Sequence, residues 1–312
     1  MSGNLKTPGY MRLLPADVIG RIGRMELLAR GMMQGFITGK HRSPNKGFSV
    51  EFAEHRQYVA GDDLRGLDWK VYGKTDRYYV RQFIEETNLR ATILLDASGS
   101  MGYAGNTAAP ISGRADISKL EYARHLAAAL SYVLINQQDA VGLVTFDSKV
   151  RLYQPARARP TQVRLILQEL VDCEPGGETE VAEVLHEIAE RIPSRGLVII
   201  ISDLLGDAEQ IVKALHHFQY KRHEIVVLHV LADEELTFPF RRFTHFRDLE
   251  RDGADLQVDP HTLRSRYLER IREFLEQIEG ACGQLKADYV PMCTREPYDK
   301  ALVNYLSTRR RR

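Results

Sequence analysis

The chain has 312 residues, 44% of them apolar and 27% charged, with 43 Lys and Arg against 42 Asp and Glu. Those proportions exclude a disordered or fibrous chain, and the near-balanced charge singles out no partner. A chain of this length buries about three quarters of its unfolded surface, so its core requires neither disulfide staples nor structural metals.

Charge is concentrated at the ends. Residues 1–50 carry eight Lys or Arg and two Asp or Glu, and Arg309 to Arg312 form a basic tail, which leaves an acidic body between them. Both ends are read as solvated, with nucleic-acid contact ranked last. Met1 to Pro8 has no apolar signal core, and the longest apolar run, Leu126 to Ile135, is ten residues with Ser131 inside it. That is too short for a membrane span. Cys173, Cys282 and Cys293 are odd in number and lack metal-type spacing, which argues against a secreted disulfide framework. The expectation is a cytoplasmic protein.

In chain order, residues 15–35 read as a helix with Val18, Ile19, Ile22, Met25, Leu28 and Met32 inward and Arg21, Arg24 and Arg30 outward. Gly20, Gly23 and Gly31 each weaken it by about 1 kcal/mol relative to Ala. Docking on the main domain is favoured over surface membrane binding. Residues 48–90 are polar and aromatic, with strand-like Phe48–Phe52 and Tyr78–Phe83 flanking a turn-rich centre. Within that centre Gly61-Asp62-Asp63 is read as a turn, with Arg65 and Asp68 pairing at i,i+3, rather than as a catalytic acidic cluster. Trp69, the sole tryptophan, is expected to fill the seam between the two parts of the chain.

From residue 91 onward, near-continuous Val, Ile and Leu runs alternate with helical patterns. The runs are Ala91–Leu95, Ala140–Phe146, Leu197–Ile201, Ile225–Leu231 and Tyr289–Met292, the composition of strands buried on both faces. Between them, Leu120, Ala123, Ala127, Leu130 and Leu134 share a helical face, as do Val181, Leu185 and Ile188, and Ile211, Leu215 and Phe218. A longer helix begins at Asp259-Pro260, an N-cap followed by Pro at the first helical position, and ends near Gly283. It turns Leu263, Tyr267, Ile271, Phe274 and Ile278 inward. Val150 to Tyr153 reads as a hairpin return. The expected fold is α/β, a doubly wound, mostly parallel sheet with one antiparallel edge strand, over residues 91–308. It is preceded by a smaller α+β segment over residues 1–90 and followed by the basic tail 309–312. Residues 102–118 and 232–258 are expected to be loops, the first rimming the site described next. The adjacent His216 and His217 cannot chelate from one side of a helix and are read as surface.

Ligands of an open parallel sheet sit outside the carboxyl ends of its strands. Asp96-Ala97-Ser98-Gly99-Ser100 follows one strand, Ser202-Asp203 follows another, and Gly176-Gly177-Glu178-Thr179 precedes a helix. Asp96, Ser98, Ser100, Thr179 and Asp203 form an all-oxygen set with no His or Cys, suited to a hard divalent cation such as Mg2+ or Mn2+ with water in part of its shell. The alternative is that Ser98 and Ser100 cap the following helix and Asp96 ties down its loop.

Asp96-x-Ser98-x-Ser100 with a later Thr179 and Asp203 resembles the metal-ion-dependent adhesion site of von Willebrand factor type A domains. The resemblance implies Ser98, Ser100 and Thr179 as hydroxyl ligands, with Asp96 and Asp203 holding the metal largely through water. Glu178 departs from the pattern, standing where many such domains join the Gly pair directly to Thr. A second resemblance covers roughly residues 40–308. Tyr58 to Trp69, Thr75-Asp76-Arg77, Tyr79 to Phe83, Lys119 to Arg124, Asp139 to Phe146 and Leu197 to Leu205 are similar to the bacterial domain-of-unknown-function family fifty-eight. That resemblance implies a partner of MoxR-type AAA+ ATPases acting in protein assembly or maturation.

The expected function is therefore a metal-dependent protein–protein interaction module. An open coordination position would take a Glu or Asp of the ATPase or of a client protein, and no small-molecule substrate is expected. A Mg2+-dependent phosphoester hydrolase using Asp96 ranks second. Such sites place a second Asp two residues on, where this chain has Ser98, and a Lys, which stands beside neither loop in the sequence. There is no Gly-x-x-x-x-Gly-Lys-Ser/Thr loop for ATP, and Ser98-Gly99-Ser100 lacks nucleophile-elbow flanks, so no catalytic residue is assigned. An RNA-binding scaffold ranks third. Asp96→Ala and Ser98→Ala are both expected to leave the domain folded, as side chains at the rim of the sheet.

Overall fold

The computed structural model describes residues 13–14, 50–59, 67–85, 89–105, 117–177, 180–193, 195–241, 244–250 and 255–309. The expected helix at 15–35 and the Gly61-Asp62-Asp63 turn lie outside them. Two compact units are present, one of Met1–Met33 with Leu89–Arg312 and the other of Gln34–Asn88.

In the smaller unit, β1 (Val50–Gln57) pairs antiparallel with β2 (Tyr79–Glu85), from Val50↔Glu85 to Gln57↔Tyr79, with a register shift between Phe52 and Glu54. The centre between these strands holds a short helix, α1 (Trp69–Thr75). Its N-cap is Asp68, whose carboxylate accepts from the Lys70 and Val71 amides at 3.0 and 3.2 Å. Capping satisfies two otherwise orphaned helix donors, which gives Asp68 a local role; its expected partner Arg65 lies outside the described residues. Trp69 is not buried as expected: it is 64% exposed, edge-on to Tyr72, which stacks on Tyr78 at 4.6 Å.

The larger unit follows the expected fold. After β3 (Arg90–Asp96) come α2 (Lys119–Asn136), β4 (Ala140–Phe146), β5 (Val150–Arg157), α3 (Pro160–Asp172), α4 (Val181–Arg191) and β6 (Leu197–Ser202). Then follow α5 (Ala208–Tyr220), β7 (Glu224–Leu231), α6 (Asp233–Thr237), the small antiparallel pair β8 (Thr244–Arg247) and β9 (Asp255–Val258), α7 (Pro260–Leu285), β10 (Asp288–Cys293) and α8 (Tyr298–Arg309). The sheet order is β10-β7-β6-β3-β4-β5, with every pair parallel except β4–β5. The expected loop 232–258 thus contains α6 and the β8–β9 pair. Both are short, and no long periodic pattern marks them.

Helices cover both faces. On one, Val184, Leu185 and Ile188 of α4, Ile211, Leu215 and Phe218 of α5 and Ile278 of α7 pack on Leu94, Val144, Val198, Ile200 and Val227. Each such side chain contributes roughly 1.5–3 kcal/mol on burial. On the other face lies α2, whose apolar run from Leu126 to Ile135 is buried nearly all round because α3 and α8 flank it. That accounts for a ten-residue apolar run in a helix too polar to span a bilayer; no described helix is long and apolar enough to cross a membrane. The chain turns to β4 on one side of β3 and later to β6 on the other, so the carboxyl ends of β3 and β6 form the switch point of the sheet.

Candidate metal centre

Asp96 is the last residue of β3, and Leu95 pairs with Ile201 one residue before the end of β6. Parallel register therefore brings Asp96 beside Ser202 and Asp203. Asp96 is 0% exposed. One carboxylate oxygen accepts from the Ser98 amide at 2.9 Å, and the other accepts from the Ser202 hydroxyl at 2.6 Å. The Leu204 amide in turn donates to Ser202 Oγ at 2.8 Å. Asp96 does tie down its loop, and the expectation that it sits at a tolerant rim is corrected: Asp96→Ala would orphan a buried amide and hydroxyl.

The serines do something else. Ser98 Oγ and Ser100 Oγ are 3.0 Å apart and buried. Neither caps a helix. The 3-10 turn at Ser100–Gly102 has no side-chain cap, and α2 is capped by Ser118, which accepts from the Glu121 amide at 3.1 Å. Ser100 also lies close enough to Asp203 to help hold its carboxyl down.

Asp203 is held from three sides. Its Oδ2 accepts from Lys119 Nζ at 2.7 Å and its Oδ1 from the Leu205 amide at 3.2 Å. Its carbonyl accepts from His229 Nε2 at 2.8 Å, and His229 Nδ1 faces the Tyr289 hydroxyl at 2.8 Å. Burial pushes His229 down to about 4, so the ring is neutral near pH 7. Burial also raises Asp203, but the Lys119 ammonium with its hydrogen bond, the nearby Ser100 and the Leu205 amide outweigh it, and its carboxyl lies below the usual range. For Asp96, burial and then the Asp203 charge win over hydrogen bonds from Ser202 and Ser98, pushing the carboxyl up to about 7.

Backbone staples align the loops. The Ala97 amide donates to Phe146 O at 2.7 Å, Gly99 to Gly177 O at 3.1 Å and Gly176 to Ala97 O at 3.0 Å. Gly177 has φ +83 and lies against Asp147. Arg151 locks the same loop: its guanidinium bonds Asp147 Oδ2 at 2.6–2.7 Å and the carbonyls of Glu174 and Gly176 at 2.6 Å each. Arg151→Met is expected to cost about 1–3 kcal/mol in urea unfolding, because Asp147 and two carbonyls lose their partner.

Of the five expected ligands, Asp96, Ser98, Ser100 and Asp203 come together; Thr179 and Glu178 lie outside the described residues, though Gly176 and Gly177 are stapled to the same loop. Two participants stand apart from the loops read in the sequence, Glu235 and above all Lys119, and Ser202 enters as a hydrogen-bond donor to Asp96. The Lys that the sequence places beside neither loop reaches the site from the first turn of α2, bonding Asp203 and, at 2.6 Å, Glu235 Oε1. A Lys at a helix N-terminus, where the dipole repels it, is the available signal. The donor set fits a hard cation. Two hydroxyls lie side by side, and Asp96, lifted chiefly by burial and then by the Asp203 charge, shares the site with a second buried carboxylate, an electrostatic excess that a divalent ion would relieve. Among the described residues no three His, Cys, Asp or Glu side chains are arranged to hold a metal.

Residues 54–276 match the family model described as protein of unknown function DUF58. The chain belongs to that family. Uncharacterized proteins of Mycobacterium bovis and Mycobacterium tuberculosis are each 23% identical to this DUF58 chain over 291 residues, 92% of it and 88% of theirs. Among solved structures, BatB from Bacteroides thetaiotaomicron is 20% identical, covering 72% of this chain and 100% of its own, with a TM-score of 0.45. An aerotolerance-related membrane protein from Bacteroides fragilis is 17% identical, covering 72% and 98%, with a TM-score of 0.43. The SpRpn10 VWA domain is 13% identical, covering 69% and 94%, with a TM-score of 0.38.

Proposed function

We propose that this DUF58 protein is a metal-dependent protein–protein interaction module. Asp96, Ser98, Ser100, Thr179 and Asp203 would hold Mg2+ or Mn2+, and an open position would accept a Glu or Asp from a partner. The observation that carries the reading is the buried pair of hydroxyls, Ser98 and Ser100, 3.0 Å apart at the switch point of the sheet and capping no helix. A divalent ion there supplies Lewis acidity for a carboxylate. The chain's own residues orient the hydroxyls, fix Asp203 through Lys119 and His229, and keep the loops in register. The proposed partner is a MoxR-type AAA+ ATPase or its client, and the proposed compartment is the cytoplasm, a reading supported by three free thiols.

The hydrolase reading gains a Lys but not a catalytic one. Lys119 Nζ is capped by two carboxylates, its side chain is 2% exposed, and Ser98 still stands where a second Asp is needed. The deciding experiment is an affinity pull-down from native lysate in Mg2+ and in EDTA, with wild type beside Ser98→Ala. Ser98 Oγ has no backbone donor to satisfy, so Ser98→Ala should keep its fold and lose metal-dependent capture of the ATPase. Capture that ignores both EDTA and Ser98 would refute the metal-dependent module. Mg2+-dependent release of phosphate from an ester in the same preparation would promote the hydrolase.

A further inference from the structure

We infer that Lys119 is the resident cation of this site: its ammonium and a divalent ion compete for Asp203, and Glu235 holds the ammonium when it gives way. The inference rests on the metal reading above and adds how the site is regulated. Lys119 Nζ lies 2.7 Å from Asp203 Oδ2 and 2.6 Å from Glu235 Oε1, with the Lys119 and Asp203 side chains 2% and 3% exposed. Burying an ammonium is costly unless it is paired, and two carboxylates converge on this one.

Helix stability does not place it there. Lys119 is the first residue of α2, where the helix dipole disfavours a cation, and Ser118 already caps the helix. Glu235 is fixed independently of Lys119. Its second oxygen accepts from the Ala232 amide at 2.7 Å, closing the first turn of α6. It can therefore hold the ammonium alone without moving. Asp203, in contrast, is the carboxylate shared between Lys119 and the serine side of the site, through Ser100.

A divalent ion approaching Asp96 and Asp203 meets one positive charge already seated on Asp203. A four-carbon Lys stem has the torsional freedom to shift its ammonium toward Glu235. Lys119 thus lowers metal affinity, and Glu235 limits how far it does so.

The test is Mn2+ binding to the full chain, read as loss of the free-ion paramagnetic resonance signal and by calorimetry. Lys119→Met should bind at least tenfold more tightly than wild type. Glu235→Gln should bind at least threefold more weakly, and this loss should largely vanish in the Lys119→Met background, because Glu235 acts through the ammonium. Wild-type binding unchanged by both single substitutions would overturn the displacement and leave the metal site standing. Weaker binding by Lys119→Met would do the same. An equal loss from Glu235→Gln with or without Lys119 would also overturn it. Should Lys119→Met fail to fold, Glu235→Gln alone decides: wild-type affinity in that variant overturns the inference. No Mn2+ binding by wild type or any variant removes both the metal reading and this inference, and Ser98→Ala marks which site the ion occupies.

Discussion

In metal-free protein, Asp96→Asn is expected to be more stable than wild type by on the order of 2–4 kcal/mol at pH 8, and to lose that advantage by pH 4. The folded-state carboxyl is raised to about 7 from an ordinary value of 3.8, chiefly by burial and then by Asp203. A group whose proton is held more tightly in the folded state adds stability below its unfolded pKa and loses it as pH rises through the folded value, here between about 4 and 7. Every tenfold difference in proton affinity between the folded and unfolded states corresponds to about 1.36 kcal/mol. Asn remains neutral throughout and can still accept from the Ser98 amide, so it escapes the charge penalty, although its Nδ2 must donate to Ser202 Oγ where the carboxylate accepted from it. Denaturant unfolding of both proteins in chelator across that range checks the sign. Adding Mg2+ at pH 8 should reverse the order, because the ion neutralises Asp96 in wild type and finds no charge in the variant. A difference between the two proteins that does not depend on pH would mean that Asp96 stays ionised when folded, and that the site lacks the electrostatic excess argued for it.

Gly99→Ala is the second large effect. A Cβ at residue 99 would stand 2.3 Å from the Leu249 carbonyl oxygen and 3.3 Å from that of Gly177. Both are backbone atoms, so no side chain can swing aside, and the loop between Asp96 and Ser100 must move. Overpacking of this kind costs on the order of 1–3 kcal/mol. The functional cost is greater, since the Gly99 amide is the staple to Gly177 that brings the two Gly-rich loops together. Metal-dependent capture should be lost even in a folded variant. Gly280→Ala provides the comparison: nothing lies within 4 Å of its added Cβ, it sits inside α7, and it should gain up to about 1 kcal/mol. Thermal unfolding of the two variants beside wild type reads both signs at once.

The motif at residues 96–100 is legible in the sequence because its chemistry is local: a strand ends, and two hydroxyls alternate with small residues that let the loop fold back. The strands are legible for a related reason. Leu94, Ile200 and Val227 belong to runs that are apolar at nearly every position, and burial on both faces leaves that mark on composition alone. The helix at 160–172, absent from the sequence reading, does carry helical spacing, with Ile166, Leu167 and Leu170 on its buried face and Pro160 at its first position, whereas the last one, α8, is only weakly amphipathic. Trp69 defeats the sequence reading because size and rarity say that a ring must pack somewhere, not where. Its ring partner is Tyr72 of the same short helix, which in turn stacks on Tyr78, the residue just before the next strand.

The partners of Lys119 cannot be read from the sequence, which shows only a Lys placed against the dipole of its helix. Its pairing with Asp203 spans 84 residues, and that with Glu235 spans 116. Periodicity and spacing report on neighbours within a few turns, whereas these contacts exist only because β3 and β6 pair in register and α2 returns over their ends. Ser202 is similar, since a Ser beside Asp203 reads as part of a motif until the sheet aims its hydroxyl at Asp96. The sequence by itself determined an α/β chain with oxygen ligands at the ends of two strands. Tertiary structure alone decided which charges meet there, because an electrostatic balance among buried groups depends on distances that no local pattern encodes.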